Sequence, residues 1–495
     1  MTSIGSRRKR ISFPLGIFLA ALFLRLIPVL LARNLGIGLD DMFQYDMLAR
    51  SLAAGNGFRW YASADLEQLK PYVNFDLSSA NYDPVRGVET SFRAPLYPAF
   101  LSIIYLLVGS GANRFFAARI SQAFLGAALA PLTYFVGLHF SPLRAGEGLG
   151  QKNERAAKIS AWIVAAYPIL LAYPLGLATA NLFFLLLLAS FFFLLTTIEQ
   201  PSISRFLLSG FLLGLTALTR SVILPFAALA ILWIWFVLKQ KRGALLAALV
   251  FVLTISPWII RNSLLHHKLT GIETSMGYNL YLGYHPQGNG SFVFGPSLDL
   301  LTILDDSERD RLGTQQAIGF IRAQPERFLP LALNRLGFFF GLEKRVLMYF
   351  YGNNIVGFIP FPLLLILFLV MLLPFVIVSL SAALGAALLR WNPLTILLAL
   401  LFFAYITPHV FILAEDRFHL AIVPFFAILA SLFWTGGWRS IAARWGKSRA
   451  GKIAVTFAIL AALLLLLNWG LELSRDADKI VQLLGPSGNF SNFPY

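Results

Sequence analysis

The chain has no cysteine, which excludes disulfide frameworks and thiolate metal sites without naming a compartment. It is also poor in charge: 13% of its 495 residues are charged, against 58% hydrophobic. A mean hydropathy of +0.71 excludes a water-soluble globular chain. P-loop, dinucleotide, HExxH and EF-hand patterns are missing too, as are internal repeats and low-complexity tracts.

What is present is apolar and continuous. Leu182–Leu195, Phe361–Leu380 and Ile453–Leu467 approach the roughly 20 apolar residues that a helical membrane span needs. The apolar residues run together rather than alternate, so the spans are helices and not barrel strands. The first run, Ile11–Leu31, is too long for a signal peptide and lacks a small-residue cleavage pattern, so it reads as a retained span. The fold class is therefore an all-α polytopic membrane protein.

The formal net charge of +16 is a topology signal, not a nucleic-acid footprint. Short segments around Arg7–Arg10, Arg144–Lys158, Arg205, Lys239–Arg242, Arg390 and Arg439–Lys452 hold 18 Lys/Arg against three acids. The two long polar segments, 34–114 and 262–350, together hold 14 Lys/Arg and 16 Asp/Glu. Short basic loops belong to the cytoplasmic side. Placing them there gives 11 spans, at about 11–33, 115–139, 159–177, 179–197, 206–218, 222–238, 244–260, 358–389, 393–413, 419–436 and 453–469. The N-terminus is then cytoplasmic, and 34–114, 262–350 and the tail 470–495 are external. Three modules follow: an N-terminal transmembrane part, 1–261, the extracytoplasmic segment 262–350, and a C-terminal transmembrane part, 351–495.

The stretch Leu39–Phe58 places adjacent carboxylates, Asp40 and Asp41, just after the first span. Met42, Tyr45, Leu48 and Leu52 follow at helical spacing, as in an amphipathic helix lying in the interface. Asp40 can cap that helix and Asp41 can sit in its first turn, where the dipole favours acids. Both can equally face a lipid-borne headgroup. Arg93–Val108 reads as a second interfacial helix, and Asp305-Asp306-Ser307 offers N-caps to a helix ending near Gln324-Pro325.

Other polar residues join the doublet on the external side: Arg93, Arg220, Arg261 and the Glu415-Asp416-Arg417 run, flanked by His409 and His419. Charges at membrane depth are costly and are paired or functional. The histidines, ten residues apart with no third nearby, read as packed residues, so no metal site is expected. Carboxylates with several arginines suit a reaction in which a hydroxyl loses a proton and an anionic phosphate leaves.

The pieces LDDMFQYDMLARSLAAGNGF, RAPLYP (93–98), SPWIIRN (256–262), GYNLYLGYHP (277–286), LEKRVLMYFYGNN (342–354) and AEDRFHLAIVP (414–424) are similar, in order, to membrane glycosyltransferases of the GT-C superfamily. The resemblance is specifically to the family 39 type, which includes protein O-mannosyltransferases and is similar to the bacterial lipid A aminoarabinose transferase. It implies a GT-C-type bundle with interfacial helices and a small extracytoplasmic region of helices and loops. It implies an inverting transfer from a polyprenyl-phosphate sugar to a lipid, glycan or protein acceptor outside the cytoplasmic face of the plasma (inner) membrane. No nucleotide sugar, metal or cofactor is implied. The resemblance also implies that an acid of the first outer loop is the base: Asp41, four residues before Tyr45, or Asp40 if the doublet is read as the family's paired acids. Arg93, Tyr97, Arg220, Arg261, Tyr281 and Arg417 are expected to bind substrate and phosphate, with Arg220 and Arg417, on the same membrane side as the doublet, meeting the carrier phosphate. Relatives carry a Glu near the fourth span where this chain has Ala180, and the WWD signature of oligosaccharyltransferases is absent. A lipid-linked glycan ligase or polymerase is the second enzyme reading. A transporter or flippase is the contrasting one, and it calls for matched half-repeats with broken helices.

Overall fold

The computed structural model describes residues 3–75, 77, 81–140 and 154–492, with side chains from residue 12 onward. Most of the basic loop expected at 140–158 lies outside the described residues. The protein is an all-α polytopic membrane protein. Among the described residues, eight helices are long and apolar enough to cross a membrane: Ser12–Leu31, Asn113–Gly137, Ala180–Glu199, Lys241–His266, Phe361–Ala386, Pro393–Phe411, Phe418–Lys447 and Arg449–Arg475.

The remaining three of the 11 expected segments are helical but interrupted or short. Glu154–Ala166 and Pro168–Leu175 meet at a 51° bend and make a ninth span if counted together. The bend falls where Pro168 follows Tyr167: the proline cannot donate back into the helix, and it pushes Tyr167 to an extended conformation (φ −66°, ψ 115°). Ile203–Thr219 and Ser221–Phe236 are apolar but under 18 residues each. Arg220, extended at φ −152° and ψ 118°, separates them.

Small residues let the helices approach closely, as membrane helix packing requires. A Cβ on Gly210 would lie 2.2 Å from the Ala247 carbonyl, and one on Gly385 would lie 1.9 Å from that of Leu429. Neither glycine can be replaced without parting its helix pair. Among the described residues the sole sheet is a two-stranded antiparallel ladder, Arg59–Trp60 against Val88–Glu89.

Following the spans in order, the segments 32–112, 173–179, 267–360 and 412–417 all emerge at one end of the bundle. A buried polar layer beneath them fixes two of these loops. Arg119 donates to the carbonyls of Leu35 (2.5 Å), Gly36 (2.7 Å) and Leu175 (2.9 Å). Gln122 donates to Pro174 (3.0 Å) and Gly176 (3.1 Å), and accepts from Tyr97 (2.6 Å) and Asn181 (3.0 Å). The loop carrying the acid doublet is thus tied to the turn that follows the bent span.

Candidate active site at the acid doublet

Asp40 caps the helix Asp41–Ala53: its side chain accepts from the Met42 amide at 2.9 Å, and Asp41 occupies the first turn. The buried face is wider than the expected stripe. Tyr45 and Ala49 pack against Tyr97 and Leu101, while Phe43, Met47 and Leu48 join the main core with Phe58, Trp60 and Phe92. The outer loop, folded over this helix, covers its second flank.

Asp41 points out of that packing. One of its oxygens is ion-paired with Arg93, whose guanidinium also donates to Gln44 at 2.7 and 2.9 Å. Arg93 lies over the rings of Tyr45 (5.4 Å) and Phe92 (5.0 Å), which fixes its plane. The Asp41 side chain keeps 46% of its surface exposed. Its recess disfavours charge, but Arg93 and then Arg417 outweigh that and hold the carboxyl below the usual carboxylate range. Asp40 goes the other way: desolvation first, and then the charge of Asp41, push it up. The doublet is one ionised acid beside one that ionises less readily.

A second charged group faces it. Glu415 is buried and its Oε2 is ion-paired with Arg345 at 2.8 Å and Arg417 at 2.6 Å. Burial opposes its charge, yet Arg345 and then Arg417 hold it at about 2. Behind it, Glu343 Oε1 accepts from Tyr167 at 2.7 Å and lies 3.0 Å from His419 Nε2. The other ring nitrogen of His419 donates to the Phe339 carbonyl at 2.7 Å. This buried cluster fixes the 339–345 loop to 415–419, and therefore Arg345 to Arg417.

Arg220 completes the set. Its guanidinium sits over Phe183 (5.6 Å) and Phe418 (5.5 Å) and has no hydrogen bond or ion pair among the described residues. The hydroxyl of Tyr173 lies within electrostatic range of Arg417, Arg220 and Arg345. Asp40, Asp41, Arg93, Arg220 and Arg417 therefore share one electrostatic neighbourhood.

Three expected residues stand elsewhere. Arg261 donates to the carbonyls of Thr90 (2.5 Å) and Phe58 (3.4 Å) and holds the outer ladder onto the Lys241–His266 helix. Tyr97 is fully buried in the polar layer. Tyr281 donates to Asp299 at 3.0 Å within the 276–301 helices. Gln44, Glu415 and Arg345 belong to the site although the sequence motifs did not single them out as binding residues. Gln44, three residues after Asp41 and hence on its helical face, carried a readable signal. Arg345, remote in sequence, did not. Among the described residues no three His, Asp or Glu side chains gather to hold a metal ion.

No protein-family profile and no curated protein matches the chain. Among solved structures it is similar to ArnT from Cupriavidus metallidurans bound to undecaprenyl phosphate, at 13% identity and a TM-score of 0.36, over 90% of this chain and 80% of that one. It is similar to the apo state of the same protein at 13% identity and a TM-score of 0.36, over 89% and 80%.

Proposed function

We propose that the protein is an inverting glycosyltransferase that moves a sugar from a polyprenyl-phosphate carrier to a lipid, glycan or protein acceptor. The observation that carries this reading is an open Asp41, ion-paired with Arg93 and within the electrostatic neighbourhood of Arg417 and an uncommitted Arg220. Asp41 accepts the proton of the acceptor hydroxyl as that oxygen bonds to the anomeric carbon. The bond from that carbon to the phosphate breaks on the opposite face, and the carrier phosphate leaves as an anion. Arg220 and Arg417 stabilise its charge through the planar fork that suits phosphate. The basic short loops support a cytoplasmic N-terminus and a site on the opposite face of the plasma (inner) membrane.

The test uses purified protein in nanodiscs, with undecaprenyl phosphate as the binding ligand and polyprenyl-phosphate sugars as donors. Wild type should bind the carrier phosphate and transfer sugar. Asp41→Asn should keep binding and lose turnover by about 10²–10⁴-fold, the usual contribution of a positioned general base. Absence of carrier binding in wild type, or normal turnover in Asp41→Asn, would sink the reading.

A further inference from the structure

A cavity of about 170 Å³ opens beside the Glu415–Arg345 pair and is lined by both of them, but not by Asp41, Arg93, Arg220 or Arg417. Glu415 therefore stands between this cavity and the charged groups around the acid doublet, to which its pair with Arg417 connects it. Adjacent residues divide between the two: Arg417 belongs to the acid doublet's side, Asp416 to the cavity.

The cations around this cavity are committed. Lys344 Nζ lies 2.5 Å from Glu472 and 2.6 Å from Asp476, Arg475 is paired with Asp476 at 3.2 Å, and Arg345 is held by Glu415. Asp416 has no hydrogen bond or ion pair among the described residues, and burial pushes its carboxyl up to about 6. Gly341 keeps the space between the acids open: a Cβ there would sit 3.4 Å from both Asp416 Cβ and Glu472 Oε2. Phe338 and Met348 supply apolar surface.

These features select the occupant. Four carboxylates against three already paired cations repel a phosphate. The charge excludes a lipid tail, and the volume falls below the roughly 300 Å³ at which drug-sized pockets begin. What fits is one polar ring that donates hydrogen bonds from its rim and presents C–H groups to Phe338 and Met348. The ring of a polyprenyl-phosphate sugar is bonded directly to its phosphate, and the cations suited to that phosphate stand on the other side of Glu415.

We infer that this cavity is the subsite for the transferred sugar ring, with Asp416 accepting hydrogen bonds from its hydroxyls. The inference rests on the donor class proposed above and adds where that donor's sugar is read.

The experiment compares the affinity of the protein in nanodiscs for undecaprenyl phosphate and for the same lipid carrying mannose, glucose or arabinose. In wild type at least one sugar should tighten binding by about tenfold, the worth of one hydrogen bond to a charged group. Asp416→Ala and Met348→Trp, the first removing the acceptor and the second filling the cavity, should each abolish that gain while bare-carrier affinity stays within about twofold, since neither residue stands among the groups around the acid doublet. A gain that survives both substitutions, or no gain from any of the three sugars, overturns the subsite and leaves the carrier reading standing. Failure of wild type to bind the bare carrier overturns both.

Discussion

Asp41 and Asp46 belong to the same 13-residue helix, five positions apart, and their surroundings are opposite. Asp46 is fully buried and both of its oxygens are taken: Arg114 donates at 2.7 and 3.0 Å, Arg50 at 2.8 Å and Tyr105 at 2.9 Å. Asp41 stands 46% exposed with Arg93 on one oxygen. Both carboxyls are held below the usual range, because in each case arginines outweigh the desolvation that opposes charge. A depressed carboxyl therefore does not separate structure from chemistry. The open lone pairs do: a saturated carboxylate has no place left for a substrate's proton.

The sharpest way to break this comparison is to neutralise each acid in turn. Asp41→Asn should lower the thermal stability only slightly, by about 1 kcal/mol or less for its half-exposed pair with Arg93, while turnover falls on the scale given above. Asp46→Asn should do the reverse, costing about 1.5–3 kcal/mol because it removes the charge on which half-buried Arg50 and Arg114 converge. Denaturation midpoints and sugar transfer, measured on both variants, check the split. Equal behaviour of the two variants would end the distinction.

The comparison extends to Glu415 and Asp416, neighbours whose acidities move apart. Glu415 is held at about 2 against an ordinary 4.5, so its stabilisation is present above pH 4.5 and is lost as pH falls through 2. That contribution is roughly 3 kcal/mol. Asp416, pushed up to about 6 against 3.8, has the opposite sign: its cost sets in as pH rises from 3.8 to 6. Thermal midpoints recorded against pH should show Glu415→Gln lowering stability at neutrality and flattening the acid limb. Asp416→Asn should remove the decline between pH 3.8 and 6.

Smaller effects are expected where a charge has no protein partner. Arg220→Gln breaks no ion pair and gives up only its contacts over the Phe183 and Phe418 rings, so it should cost about 1 kcal/mol of stability. Its undecaprenyl phosphate affinity should drop about 10–100-fold, as for loss of one charge-assisted contact. Unchanged affinity would remove Arg220 from the phosphate site. The smallest effect concerns the cap. Asp40→Ala should cost about 1 kcal/mol and Asp40→Asn almost nothing, since Asn caps as well as Asp. A collapse of transfer in Asp40→Asn would move the base by one residue.

The helical membrane class was legible in the residues, because apolar runs that are continuous rather than alternating leave only helices to satisfy backbone polar groups in lipid. So were the acid-doublet helix, whose cap and first turn are local features, and the Asp305 cap of Asp306–Ala323. What tertiary structure decided was partnership. Arg261 and Arg220 each follow or end an apolar helix and look alike in sequence. Yet Arg261 is spent on the Thr90 and Phe58 carbonyls, while Arg220 is left between two rings. Arg345 reaches Glu415 across 70 residues of chain, and Glu343 reaches His419 across 76. Such pairings depend on which spans lie side by side, and hydropathy, which sets how many spans there are, carries no information about their neighbours.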